Sequence, residues 1–261
     1  MYSFFYFQGS KIHYKIKGSG PTLVLLHGYL QDLGMWEKIA NKLSQTHQVI
    51  AIDLPGFGKS DCLQEEHSMN LFAICVHAIL FELKLQNVTL IGHSMGAYVA
   101  LCLLKICPKN IVHFCLFHST ANADSVEKKA ERSRLIKVVR DKKKAYLKTA
   151  IPSLFSDKYK NENPLDIKKM IEQSFLIDTK AIYGALKGMQ QREDRNELLR
   201  LWPGKKTYIA GALDPLFPIV DLRKEATRNN AEFIKIVEAG HMSHVENTDV
   251  AIKVFEKVIE I

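Results

Sequence analysis

Apolar residues recur along this chain in two rhythms. Short apolar or alternating runs bounded by turn residues predict strands at 3–7, 12–16, 22–26, 49–52, 88–91, 111–117, 206–210 and 232–237. Longer stretches with helical spacing predict helices at 34–44 (through Met35, Ile39 and Leu43), 69–85, 97–104, 219–229 and 248–260. The last of these offers Val250, Ile252, Val254, Phe255 and Ile259 for its buried side. The first two strands read as a hairpin turning at Gln8-Gly9-Ser10. From there strands alternate with helices. That order predicts an α/β fold: a mostly parallel eight-stranded sheet flanked by helices on both faces. Between 121 and 206 the alternation stops. Helical spacing through Leu135, Val138, Val139 and Leu147, with no convincing strand, predicts a helical insertion between two sheet strands.

Composition narrows the setting. A chain of 261 residues accommodates one α/β domain with an insertion and a sizeable core, and 47% hydrophobic and 25% charged residues suit a globular enzyme. Residues 1–8 are apolar but lack a basic leader and a small-residue cleavage site, so a first strand is expected rather than a signal peptide. The longest apolar stretch, 88–107, is interrupted at Gly92 and Gly96, and no membrane span is expected. Five scattered cysteines (Cys62, Cys75, Cys102, Cys107 and Cys115) show no metal-ligand spacing, and four lie in apolar segments. They are expected to be buried reduced thiols in a cytoplasmic protein, with no metal and no cofactor.

Charge is unevenly placed. The chain carries a net +8, yet residues 121–206 alone hold 21 Lys and Arg against 12 Asp and Glu, leaving the remainder nearly neutral. A solvated helical face accounts for this without further function. The sharper alternative is that Lys128, Lys129, Arg132, Arg134, Lys137, Arg140 and 142–144 attract an anionic substrate or an acidic carrier, which turnover insensitive to salt would rule out. The bases are not interleaved with aromatics and no nucleic-acid motif is present, so nucleic acid is not an expected partner. Gly58-Lys59-Ser60 mimics the end of a phosphate-binding loop, but the required glycine five residues earlier is Asp53.

The chemistry centres on Ser94. It stands in Gly92-His93-Ser94-Met95-Gly96, after the apolar run Val88-Thr89-Leu90-Ile91 and before a helical stretch. Strand, sharp turn and helix with a serine at the apex would lift the hydroxyl clear of the backbone and aim the next backbone N–H at a reacting carbonyl. A serine hydroxyl needs a general base. His13 and His113 lie in strand patterns, His77 in a helix and His47 in a loop, and His93 reads as structural. His241 follows Ala239-Gly240 in the loop after the last strand, at the sheet edge where such folds place functional groups. His244, three residues on, is its rival, with a hydrogen-bonded helix-cap neighbour as its plainer role. Asp214, in Gly211-Ala212-Leu213-Asp214-Pro215, is the candidate acceptor for the base, or else an ordinary aspartate before proline at a turn. The order Ser94, Asp214, His241 favours the former.

With these residues the chain resembles the α/β-hydrolase superfamily, in its serine-nucleophile, helical-cap, esterase-like branch. The resemblance is carried by His27-Gly28, by Asp53-Leu54-Pro55-Gly56-Phe57-Gly58-Lys59-Ser60, by the Ser94 elbow, by Gly211-x-x-Asp214-Pro215 and by Gly240-His241-x-x-His244-x-Glu246. It implies a core of residues 1–120 and 207–261 with a cap at 121–206. It implies Ser94 as nucleophile, His241 as base, Asp214 as its orienter, and the Tyr29 and Met95 amides as oxyanion hole. Substrate walls are expected from Tyr29, Trp36, Leu216 and the cap residues Phe155, Tyr183 and Met189. The implied reaction is hydrolysis of a small or medium carboxylic ester through an acyl-enzyme. Relatives that open epoxides or remove halogen carry aspartate where Ser94 stands. Members that cleave methyl esters on acyl-carrier protein use a basic cap, the analogy behind the carrier expectation. The motifs equally suit a C–C bond hydrolase or lyase with the same triad, or a small-ligand receptor that keeps the triad for binding.

Overall fold

A computed structural model of the chain describes residues 2–259; Met1 and the helix end expected at Glu260 lie outside the described residues. Eight strands form one sheet: β1 (Tyr2–Phe7), β2 (Ser10–Lys17), β3 (Thr22–Leu26), β4 (Gln48–Ile52), β5 (Val88–His93), β6 (Ile111–Phe117), β7 (Lys205–Gly211) and β8 (Glu232–Ile236). Their order is β1-β2-β4-β3-β5-β6-β7-β8. Only β2 runs against its neighbours; every pairing from β4 to β8 is parallel.

Strand alternation sorts the core into two layers. Val24 and Leu26 of β3, Ile50 and Ile52 of β4, and Phe114 and Leu116 of β6 face one cluster. Leu23, Leu25, Val49, Ala51, Cys115 and Phe117 face the other. The first layer is covered by α2 (Met69–Glu82) and α3 (Met95–Ile106); the second by α1 (Glu37–Leu43) and α11 (Thr248–Ile259). The helix expected from residue 34 begins as a 3-10 turn at Leu33–Trp36, because the Asp32 side chain accepts the Gly34 N–H and caps a tighter first turn.

Between β6 and β7 the described chain has helices only: α4 (Val126–Ala150), α5 (Asp157–Glu162), α6 (Pro164–Ser174), α7 (Thr179–Gln190) and α8 (Asn196–Leu201). α4 carries a break at Lys142 (φ −138°, ψ 47°). Among the described residues no helix is long and apolar enough to cross a membrane. Two further helices, α9 (Ile219–Arg228) and the short α10 (Ser243–Glu246), complete the fold.

The stretch that mimics a phosphate loop folds around a buried carboxylate instead. Asp53 accepts from Leu33 N–H (2.7 Å) and Lys59 N–H (2.9 Å) and sits 2.6 Å from His13 Nδ1. Gly58, at φ +57°, leaves no room for a side chain because a Cβ there would fall 2.3 Å from that carboxylate.

Candidate active site

The strand order reverses about β3. One neighbour, β4, follows it in the chain, and the other, β5, leads into the elbow; a crevice opens at the carboxyl ends of such a pair. Ser94 stands there, between β5 and α3, with φ 50° and ψ −115°. A non-glycine residue in this region is strained and must be held. Its N–H donates to Phe117 O (2.9 Å), and its carbonyl accepts from Ser119 Oγ and Ala97 N–H (2.9 and 3.0 Å). The flanking glycines are steric necessities: a Cβ on Gly96 would lie 2.3 Å from Leu26 O, and one on Gly92 would lie 2.5 Å from Ala97 N.

His241 lies in the loop after β8. Its Nδ1–H donates to Asp214 Oδ2 at 2.9 Å, leaving the Nε2 lone pair free. Asp214 Oδ1 accepts from the Leu216 and Phe217 amides (2.9 and 3.2 Å). A third residue joins them. His118, the first residue after β6, also donates from Nδ1 to Asp214 Oδ2 at 2.9 Å, and its Nε2 accepts from Ser243 Oγ at 2.7 Å. Burial would raise the Asp214 carboxyl, but the two facing histidines outweigh it and hold the group well below the usual carboxylate range. Burial pushes His118 down, against the pull of Asp214. His118 was not singled out in the sequence; the signal was its place directly after a strand, the same kind of position that Asp214 and His241 occupy. Among the described residues these three are the group with metal-ligand proximity, and each histidine faces it with an Nδ1 within hydrogen-bond distance of Asp214 Oδ2.

Two neighbouring histidines are buried struts. His93 is driven well below its ordinary value by burial, and its Nε2–H donates to His241 O at 3.0 Å, fixing the loop that bears that ring. His244 is buried in α10, pushed down to about 3, with Nε2 3.2 Å from the Gln31 amide nitrogen. Glu246 braces the same loop. Its Oε2 accepts from Gly240 N–H (3.0 Å), Ser156 N–H (3.2 Å) and Ser156 Oγ (2.6 Å), and its Oε1 accepts from Met242 N–H (3.2 Å).

Ser94 and His241 line one cavity of about 630 Å³ between the sheet edge and the inserted helices. Tyr29, Met189 and Leu216 line it too. Trp36, Phe155 and Tyr183, expected as walls, do not. Trp36 is fully buried in the opposite core layer, packed on Phe117 and Phe255. Phe155 stacks on Tyr159 at 5.3 Å, and Tyr183 lies under the Arg140 guanidinium at 4.6 Å. Met95 begins α3, and Tyr29 follows β3 by three residues; among the described residues neither amide has a hydrogen-bond acceptor. The basic run is also divided. Lys129, Arg134, Lys137, Arg140, Lys142 and Lys144 are exposed, whereas Lys143 caps the carbonyls of Phe175 and Ile177, Lys128 pairs with Glu131, and Arg132 is buried against the cavity.

A family model of the α/β hydrolase fold matches residues 21–248. The chain is 30% identical over 237 residues, 87% of its length and 88% of the relative's, to a pimeloyl-[acyl-carrier protein] methyl ester esterase of Pseudoalteromonas atlantica. It is 25% identical over 261 residues, 97% of this chain and 94% of the other, to 3-oxoadipate enol-lactonase 1 of Acinetobacter baylyi. A solved thermophilic esterase from Thermogutta terrifontis superposes with a TM-score of 0.92 at 24% identity, covering 100% of this chain and 98% of that one. The chain belongs to the α/β-hydrolase fold family.

Proposed function

We propose that this ester-bond hydrolase cleaves small or medium carboxylic esters through an acyl-enzyme on Ser94. In this reading His241 Nε2 takes the Ser94 proton as Oγ attacks the ester carbonyl, and Asp214 holds the imidazole in that tautomer and offsets its charge. The Tyr29 and Met95 amides receive the oxyanion, each such donor contributing about 3–4 kcal/mol to the transition state. Collapse expels the alcohol with the proton from His241; water, deprotonated by the same ring, then releases the acid. Residues 121–206 act as the cap, with Tyr29, Met189 and Leu216 against the substrate.

The observation that carries the reading is the 2.9 Å bond from His241 to Asp214, at the wall of the cavity that Ser94 also lines. Relatives named as a methyl ester esterase and an enol-lactonase support ester chemistry, open or cyclic. The relative acting on a carrier-linked ester gives the exposed bases of α4 a carrier as occupant, to be judged by salt dependence. A cytoplasmic setting belongs to the same proposal, consistent with five free cysteines, four of them buried. Hydrolysis of p-nitrophenyl butyrate by the wild type, lost in Ser94→Ala, together with fluorophosphonate labelling of Ser94, is the expected result. Negligible turnover with tight small-molecule binding would replace the enzyme by a receptor.

A further inference from the structure

We propose that Arg132 and Arg192 form a carboxylate subsite, so that the favoured ester carries a second, ionised carboxylate group. The inference rests on the hydrolase reading and names its substrate class. Arg132 is only 9% exposed and lines the cavity. Its Nε donates to Asp124 Oδ2 at 2.5 Å and its Nη2 to Asp124 Oδ1 at 3.4 Å. Arg192 Nη1 donates to the same carboxylate and to Met189 O, and its Nε donates to Asn122 O at 3.1 Å. Two guanidinium groups therefore share one carboxylate. Among the described residues Arg132 Nη1 and Arg192 Nη2 have no acceptor. Both residues line the cavity, so these donors are available to a ligand bound there.

No other carboxylate of the lining meets this pair. Glu131 is paired with Lys128 at 2.8 Å. Glu225 is engaged by Thr120 Oγ1, the Ala121 amide, Asn122 Nδ2 and the Tyr208 hydroxyl. Asp221 is exposed on the first turn of α9. Among the described residues Asp124 alone pairs with the two guanidinium groups, so the pair itself carries one positive charge in excess. A carboxylate offsets it with the two parallel oxygens that a guanidinium fork matches. A neutral acceptor would leave the second cation uncompensated, and a dianion would exceed it. The location suits an ester. Tyr98 stands four residues after Ser94 on α3, roughly 6 Å along the axis. The Arg192 guanidinium lies 4.0 Å over the Tyr98 ring, and Ser94, Tyr98, Arg132 and Arg192 all line the same cavity.

The test compares p-nitrophenyl monoesters of succinic, glutaric and adipic acids with neutral p-nitrophenyl alkanoates of matched length. The kcat/KM ratio of charged to neutral ester is read in each protein, so that any loss of folded material cancels. The wild type is expected to favour the charged member by about tenfold or more. Arg132→Met and Arg192→Met should each lower the ratio by roughly ten- to a hundredfold. Arg132→Lys should recover only part, having the charge without the fork. A wild-type ratio near one, or equal losses toward both esters in the variants, would assign the pair to structure alone and overturn the subsite. Calorimetric titration of adipate into Ser94→Ala gives an arm independent of turnover: binding that Arg132→Met abolishes supports the subsite, and its absence overturns it. Failure of the hydrolase reading looks different, with no ester of either kind turned over and no fluorophosphonate label on Ser94.

Discussion

Asp214 Oδ2 serves two imidazoles at once, and this sets what each residue is worth. His118 cannot reach substrate through Asp214, so its part is to position the carboxylate and, through Ser243, the start of α10. Replacing it with Phe removes one hydrogen bond to an ionised group, and kcat is expected to fall by roughly tenfold. The Asp214→Asn change should cost about four orders of magnitude, because it permits the wrong tautomer of His241. With the His118 donor gone, the Asp214 carboxyl should also rise from its depressed value, and the loss should fall on kcat with little change in KM. An unchanged kcat in His118→Phe would remove that role. The sequence made Ser94, Asp214 and His241 legible as candidates because each lies within a few residues of a strand's end and their chain order suits one fold. It hid His118 behind an apolar strand and a partner 96 residues away. Arg132 was named only as one base of a run, and its burial was not read, although it shares the buried stripe of α4 with Ile136, Val139 and Leu147.

The loop from β8 to α10 links His241 to the inserted helices. His241 N–H donates to Leu154 O at 3.1 Å, and Glu246 gathers Gly240, Met242 and Ser156 on one carboxylate. Changing Glu246 to Gln turns one acceptor oxygen into a donor facing N–H groups. We expect a loss of about 2 kcal/mol in stability, read by urea denaturation, with a lower kcat and little change in KM for p-nitrophenyl butyrate. Unchanged midpoint and kcat would show that the loop holds its shape without the latch. Strands and flanking helices were readable at this scale because their periods are imposed by a two-faced sheet. The inserted helices were not separable in advance. Their boundaries rest on side-chain caps such as Ser125, Ser156 and Asp178, and on the proline starting α6, within a segment whose bases blur the apolar stripe.

Across the molecule, burial disfavours the charged form of several imidazoles. Burial lowers His27, His93 and His118, pushes His67 and His113 to about 4, and pushes His244 to about 3. In the unfolded chain each returns to about 6.5. Below that pH the unfolded state binds protons that the folded state refuses, so folding stability is complete above about 6.5 and falls as the solution is acidified toward the folded values. Each such group contributes a slope of up to about 1.4 kcal/mol per pH unit. Asp214 has the opposite range: its folded value is depressed below the ordinary carboxylate, so the stability it contributes is lost only at lower pH and does not mask the histidine effect. Unfolding free energy measured in urea from pH 8 to 4.5 should therefore be flat to near 6.5 and then drop steeply. His113 offers a clean control, since it bonds Thr207 at 2.9 Å within the sheet, away from the site. His113→Gln keeps a polar partner for Thr207 but cannot titrate, so its stability curve should be shallower than wild type between pH 6 and 4.5 by roughly one proton's slope. Parallel curves for the two proteins would mean that buried imidazoles do not govern the acid limit of the fold.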